Sequence, residues 1–118
     1  MRSIADLITS KSLIADIERR LEAAMIGRGF AFTSEQILIV AGMPDQPTTI
    51  SSLEGRCYSG TNISYNLRRL EEAGLIRKER SPHDGRSILV ARTAKGEELA
   101  RLAHAHFERV DRAERVAA

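Results

Sequence analysis

Between residues 61 and 72 the segment TNISYNLRRLEE carries hydrogen-bonding and cationic side chains at a spacing suited to the edges of base pairs. Ile63 can be set at the centre of a buried helical face, with about 100° of turn per residue. Thr61, Tyr65, Arg68 and Glu72 then point the opposite way, with Asn62 and Arg69 on one flank. Arginine offers a bidentate fork to guanine, asparagine pairs with adenine, and a threonine methyl touches thymine, so this face suits a major groove. The competing reading is a solvated face on which Arg68, Arg69, Glu71 and Glu72 pair three and four residues apart. What favours nucleic acid is the next segment, where Arg77, Lys78, Arg80, His83, Arg86 and Arg92 crowd together, a density suited to phosphates.

Hydrophobic periodicity supplies the elements that would hold these residues. Ile4, Leu7, Ile8, Ile14, Ile17, Leu21 and Met25 recur at three- and four-residue steps, predicting a long amphipathic helix that Gly27-Arg28-Gly29 ends. Thr33-Ser34-Glu35-Gln36 has capping-box spacing and opens a second helix running to about Ala41. After the breakers from Gly42 to Pro47, Thr48 or Thr49 caps a short third helix with Ile50, Leu53 and Cys57 on one face. Ser59 then caps a fourth, with Ile63, Leu67 and Leu70 as its apolar stripe and Gly74 as its stop. Leu75 to Arg80 and Ser87 to Arg92 read as two strands of a hairpin, joined by the loop from Ser81 to Arg86. From Thr93 a last helix carries Leu99, Leu102, Ala103, His106 and Val110 on one stripe. This order predicts a mainly α chain with a small β-hairpin (α+β): a winged helix-turn-helix domain flanked by long N- and C-terminal dimerisation helices. The expected division is residues 1–29 and 93–118 for the dimerisation helices and 30–92 for the winged unit, within one domain.

Composition narrows the alternatives. The chain has 118 residues, 42% of them hydrophobic and 29% charged, with a net charge of only +2, so the clustering of its basic residues says more than their number. Its longest apolar run, about five residues near Ile37, is far below the roughly 20 of a membrane span, and no signal-peptide pattern is seen, so a cytoplasmic location is expected. Cys57 is the only cysteine and reads as a small buried core residue, with redox sensing as the alternative. His104 and His106 lie about 200° apart on a helix and cannot share a metal. No nucleophile-elbow, P-loop or zinc-protease motif occurs, so neither an enzyme nor a cofactor is expected.

The segments Thr33 to Gln36, Thr49 to Leu53, ISYNLRRLEEAGLI from Ile63 to Ile76, Asp84-Gly85-Arg86 and Thr93-Ala94-Lys95-Gly96 occur in the order of a known family. Over roughly residues 33 to 100 the chain resembles the MarR family of transcriptional regulators. The resemblance implies that Arg86 reaches the minor groove while Asp84 orients the wing. Arg92 stands where the family commonly has leucine, and Asn66 where it commonly has an apolar residue, so a half-buried Asn66 needs a hydrogen-bond partner. A single long helix follows the wing in place of the more typical pair.

The expected function is sequence-specific binding of double-stranded DNA at an inverted repeat by a homodimeric regulator, a repressor in outcome. A winged-helix module that binds another protein is the alternative. DNA contacts are expected from Ser51, Thr61, Asn62, Ser64, Tyr65, Arg68, Arg69, Lys78, His83, Asp84 and Arg86. Dimer contacts are expected from Ile4, Leu7, Ile8, Ile14, Leu102, His106 and Val110, because the two terminal stripes are longer than a small core can cover. No residue cluster identifies an effector site.

Overall fold

A computed structural model describes residues 3–54 and 62–117. Cys57, Ser59 and Thr61 lie outside the described residues. The elements are α1 (Ile4–Ile26), α2 (Ser34–Gly42), β1 (Thr48–Thr49), α3 (Ile50–Glu54), α4 (Ile63–Glu72), β2 (Ile76–Arg80), β3 (Ile88–Arg92) and α5 (Ala94–Ala117).

Local chemistry accounts for most of the element starts. Ser3 caps α1 by accepting from Asp6 N. The capping box on α2 is complete: Thr33 Oγ1 accepts from Gln36 N, and Gln36 Oε1 accepts from Thr33 N. Thr49 Oγ1 accepts from Ser52 N at the start of α3, and Thr93 Oγ1 accepts from Gly96 N at the start of α5. The cap of α4 differs from expectation, since Asn62, not Ser59, fills it by accepting from Tyr65 N at 3.0 Å. Asparagine is as good a cap as serine, and this one sits directly before the first apolar residue of the helix. Gly74 closes α4 with φ +78°, a conformation that costs residues with a Cβ.

The two expected strands each begin one residue later than the periodicity suggests. A third strand, β1, joins them in an antiparallel sheet of order β1-β3-β2. Thr48 pairs with Val90 and Thr49 with Leu89, while Lys78 opposes Val90 across the other side. Thr49 thus ends a strand and caps a helix at once.

Leu21, Met25, Ile37, Ile39, Val40, Leu53, Leu67, Leu70, Leu75, Val90, Leu99 and Ala103 form the core. Each fully buried leucine or isoleucine there contributes about 1.5–3 kcal/mol. Helix α5 packs mainly on α2 and to a lesser extent on α1. Only the C-terminal half of α1 enters the core, and Ile4, Leu7, Ile8, Leu13 and Ile14 stay exposed. The stripe on α5 behaves otherwise. Leu102 and His106 are buried within their own chain, which corrects their assignment to a dimer surface, whereas Val110 is half-buried. They sit deep because α5 presses this face against α2 and α1.

Candidate nucleic-acid interface

Helix α4 separates its two faces sharply. Ile63, Asn66, Leu67 and Leu70 are buried, and Asn62, Ser64, Tyr65, Arg68 and Arg69 are exposed. Asn66, polar on the buried side, is satisfied twice, as its burial requires. Its Oδ1 accepts from Gln36 Nε2 at 3.2 Å, and its Nδ2 donates to the Asn62 carbonyl at 3.0 Å. The side-chain amides of Gln36 and Asn66 and the main-chain carbonyl of Asn62 therefore run in series from the start of α2 to the start of α4. The Gln36 link has no local signal in the sequence, although the capping box places that side chain beside Thr33.

On the outer face Tyr65 is half exposed, Arg69 faces Glu72 at 3.7 Å, and Arg68 pairs with no carboxylate among the described residues. Arg69 is thus held only weakly, since exposed pairs contribute about 0–1 kcal/mol. Asn62 has a role beyond the expected base contact, because its Oδ1 holds the first turn of the helix. Ser51 is exposed on α3, where its Oγ lies 3.4 Å from Thr49 Oγ1.

The hairpin sorts its cations more strictly than the sequence does. Arg77 pairs with Glu79, Lys78 with Glu71 at 3.7 Å, and Arg80 donates to the Gly85 carbonyl at 3.0 Å. Arg92 is not a phosphate ligand. Its side chain is almost inaccessible, donating to the carbonyls of Val40 and Met43 and contacting Asp45 and Glu97. Arg86 remains at the tip, exposed and in no ion pair among the described residues. Its backbone is fixed nonetheless: Arg86 N donates to Asp84 Oδ1 and Ser87 Oγ donates to Asp84 Oδ2, both at 3.0 Å. The Arg86 amide, and after it the Ser87 hydroxyl, holds the Asp84 carboxyl below the usual aspartate range. Ser81 Oγ accepts from the amides of His83 and Asp84, which completes a built loop. His83 is exposed beside it.

Along the flank of α4 from Asn62 to Arg69, an open groove of about 650 Å³ is lined by Glu22, Ile26, Phe32, Gln36, Tyr65 and Arg69, among others. Beneath it Glu22 and Glu18 accept from the amide and hydroxyl of Ser34, both at 2.6 Å, tying α1 to α2. No cluster of three metal-ligating side chains occurs among the described residues. None of the described helices is long and apolar enough to cross a membrane.

A polar, cationic helix face followed at once by an antiparallel hairpin with an arginine at its tip defines a winged helix. Residues 34–96 match the winged helix DNA-binding domain family, and the chain belongs to it. Its fold is that of the MarR-like regulators. FabT of Streptococcus pneumoniae, solved in complex with DNA, is 22% identical over 98% of this chain and 80% of its own, with a TM-score of 0.78. A MepR mutant of S. aureus bound to an oligodeoxyribonucleotide is 16% identical over 100% of this chain and 86% of its own, with a TM-score of 0.68. A MarR-like transcription regulator of Bacillus cereus is 20% identical over 86% of this chain and 78% of its own, with a TM-score of 0.63. No curated protein matches the chain in sequence.

Proposed function

We propose that this protein is a transcriptional regulator that binds double-stranded DNA sequence-specifically, as a homodimer on an inverted repeat, and represses by occupying the site. The observation that carries the reading is the pairing of the exposed face Ser64, Tyr65, Arg68 and Arg69 on α4 with Arg86, a tip arginine engaged by no carboxylate among the described residues. The helix would read base edges in the major groove while the wing reaches a narrow minor groove, whose negative potential attracts arginine. Two relatives of the same fold were solved with DNA, which supports the same use here. The exposed apolar residues of α1 supply a surface for a second copy, and an inverted repeat mirrors such a two-fold axis. The reading takes the protein to act in the cytoplasm, with no catalytic step and no cofactor.

Selection from a random duplex library, followed by titration at several salt concentrations, tests this. Arg69→Ala should cost about 1–3 kcal/mol on the selected site and relax preference at particular base pairs. Arg86→Ala should weaken binding with less change in base preference at the major-groove positions, and lower the salt slope by roughly one counterion. If both variants bind as the wild type does, with unchanged slope, the DNA reading is wrong and a protein-binding winged helix replaces it.

A further inference from the structure

The turn that follows α4, from Ala73 to Leu75, is held by the start of α5. The amides of Ala73, Gly74 and Leu75 close the helix by donating to the carbonyls of Arg69, Glu71 and Leu70, and their own carbonyls then need donors from elsewhere. Here the three consecutive carbonyls after α4 are taken up in order. Lys95 Nζ donates to the Ala73 carbonyl at 3.2 Å, Thr93 Oγ1 to that of Gly74 at 2.6 Å, and Thr93 N to that of Leu75 at 3.0 Å. The Lys95 ammonium also lies at the negative end of the helix dipole, where a cation is favoured.

Gly96 makes this approach possible. A Cβ on Gly96 would stand 2.0 Å from the Leu75 carbonyl oxygen and 3.1 Å from its carbon. The obstacle is backbone, so no side-chain rotation relieves it. Any larger residue must push α5 away from the α4–β2 turn. From this contact α5 runs without interruption to Ala117, a rod of about 36 Å.

We propose that Thr93, Lys95 and Gly96 are positioning residues that lock α4 to α5, so that the packing of two copies sets the separation and tilt of their two α4 helices on DNA. The proposal rests on the regulator reading above. Two half-site contacts held at the right spacing reinforce each other by on the order of 10²–10⁴, a gain lost when geometry forbids simultaneous engagement. Loosening the lock should therefore damage binding to the whole repeat and spare binding to a single half-site. A general loss of stability would damage both alike.

The test compares wild type, Gly96→Ala and Lys95→Met on the selected inverted repeat and on its isolated half-site, with dimer content followed by sedimentation. Gly96→Ala should lose on the order of tenfold or more on the repeat, with half-site affinity and dimerisation unchanged. Lys95→Met should show the same pattern, smaller. Equal losses on both DNAs, or no loss on either, overturn the proposal. If Gly96→Ala fails to fold, Lys95→Met decides by the same ratio, since Lys95 is exposed and keeps its stem as methionine. Hydrogen exchange at residues 73–76 judges the lock with no DNA present. Faster exchange in Lys95→Met than in wild type is expected, and unchanged exchange sinks the lock. A wild type that binds neither DNA refutes the regulator reading, while exchange still decides whether the lock exists.

Discussion

Arg92 reaches Asp45 at 2.6 Å although 4% of the arginine side chain and 95% of the aspartate side chain are exposed. The buried partner depends on this contact far less than on two others, the carbonyls of Val40 and Met43, to which it donates at 3.0 and 2.7 Å. Arg92→Ala would strip the Met43 carbonyl of its donor and leave that of Val40 with only the Met43 amide at 3.4 Å, a loss of about 1–3 kcal/mol. Asp45→Asn would remove only an exposed charge and cost about 0–1 kcal/mol. Urea unfolding of the two variants, with unchanged m-values, should give that ranking. Equal midpoints would show that Arg92 does not brace β3 against α2.

Asn62 offers a way to separate folding from reading. Asn62→Ala should cost about 0.5–2 kcal/mol of stability through loss of the cap, and Asn62→Ser should recover most of it. Thermal unfolding measures that part. Any loss of DNA affinity that persists in the serine variant then reports a contact made by the asparagine amide itself.

His106 should make the protein acid-sensitive. Burial, and after it the Arg109 charge, lowers its pKa, and its Nε2 has no hydrogen-bond partner among the described residues. Above the ordinary imidazole pKa both folded and unfolded chains are neutral at this site and it has no effect. As pH falls below that value the unfolded chain takes up the proton first, so stability declines until the lowered folded pKa is passed. Denaturation midpoints between neutral pH and the acid range should fall less steeply in His106→Leu than in wild type. Parallel pH profiles would contradict the assignment.

Two lysine substitutions distinguish a dimer surface from a core. Ile14 is 54% exposed on α1, whereas Leu102 is 7% exposed in the core. Ile14→Lys should leave a folded chain that sediments as a monomer at micromolar concentration. Leu102→Lys should unfold the chain, because it buries an unpaired charge. A dimeric Ile14→Lys would move the interface off this part of α1.

The helices and the hairpin were legible because their signals are local. Capping residues, glycine stops and apolar spacing mark α1, α2, α4 and α5 within a few residues of their observed ends. Strand β1 was not legible: it is two residues long, too short for alternation, and its partners Val90 and Leu89 lie far along the chain. Arg92 reads as one more wing cation, because its burial depends on the carbonyls of Val40 and Met43, remote in sequence. The Leu102–His106 stripe shows that a face is covered but not whether its own chain or a second copy covers it. For the proposed DNA contacts, the sequence locates the exposed face of α4. It does not reveal that Arg77, Lys78 and Arg80 have partners within the hairpin and α4 while Arg86 has no such ion pair among the described residues.

The amide series from Gln36 through Asn66 to Asn62 ties two helices into one evolutionary unit. A mutation at Gln36 alone strands the Asn66 oxygen, and one at Asn66 alone strands the Gln36 nitrogen, while replacing both by apolar residues of similar size removes that pair together and gives up only the Gln36 arm of the α2 capping box and the Asn66 bond to the Asn62 carbonyl. Among natural variants of this chain these two positions should drift together or not at all. The residue before the first turn of α4 then inherits whichever solution they reach.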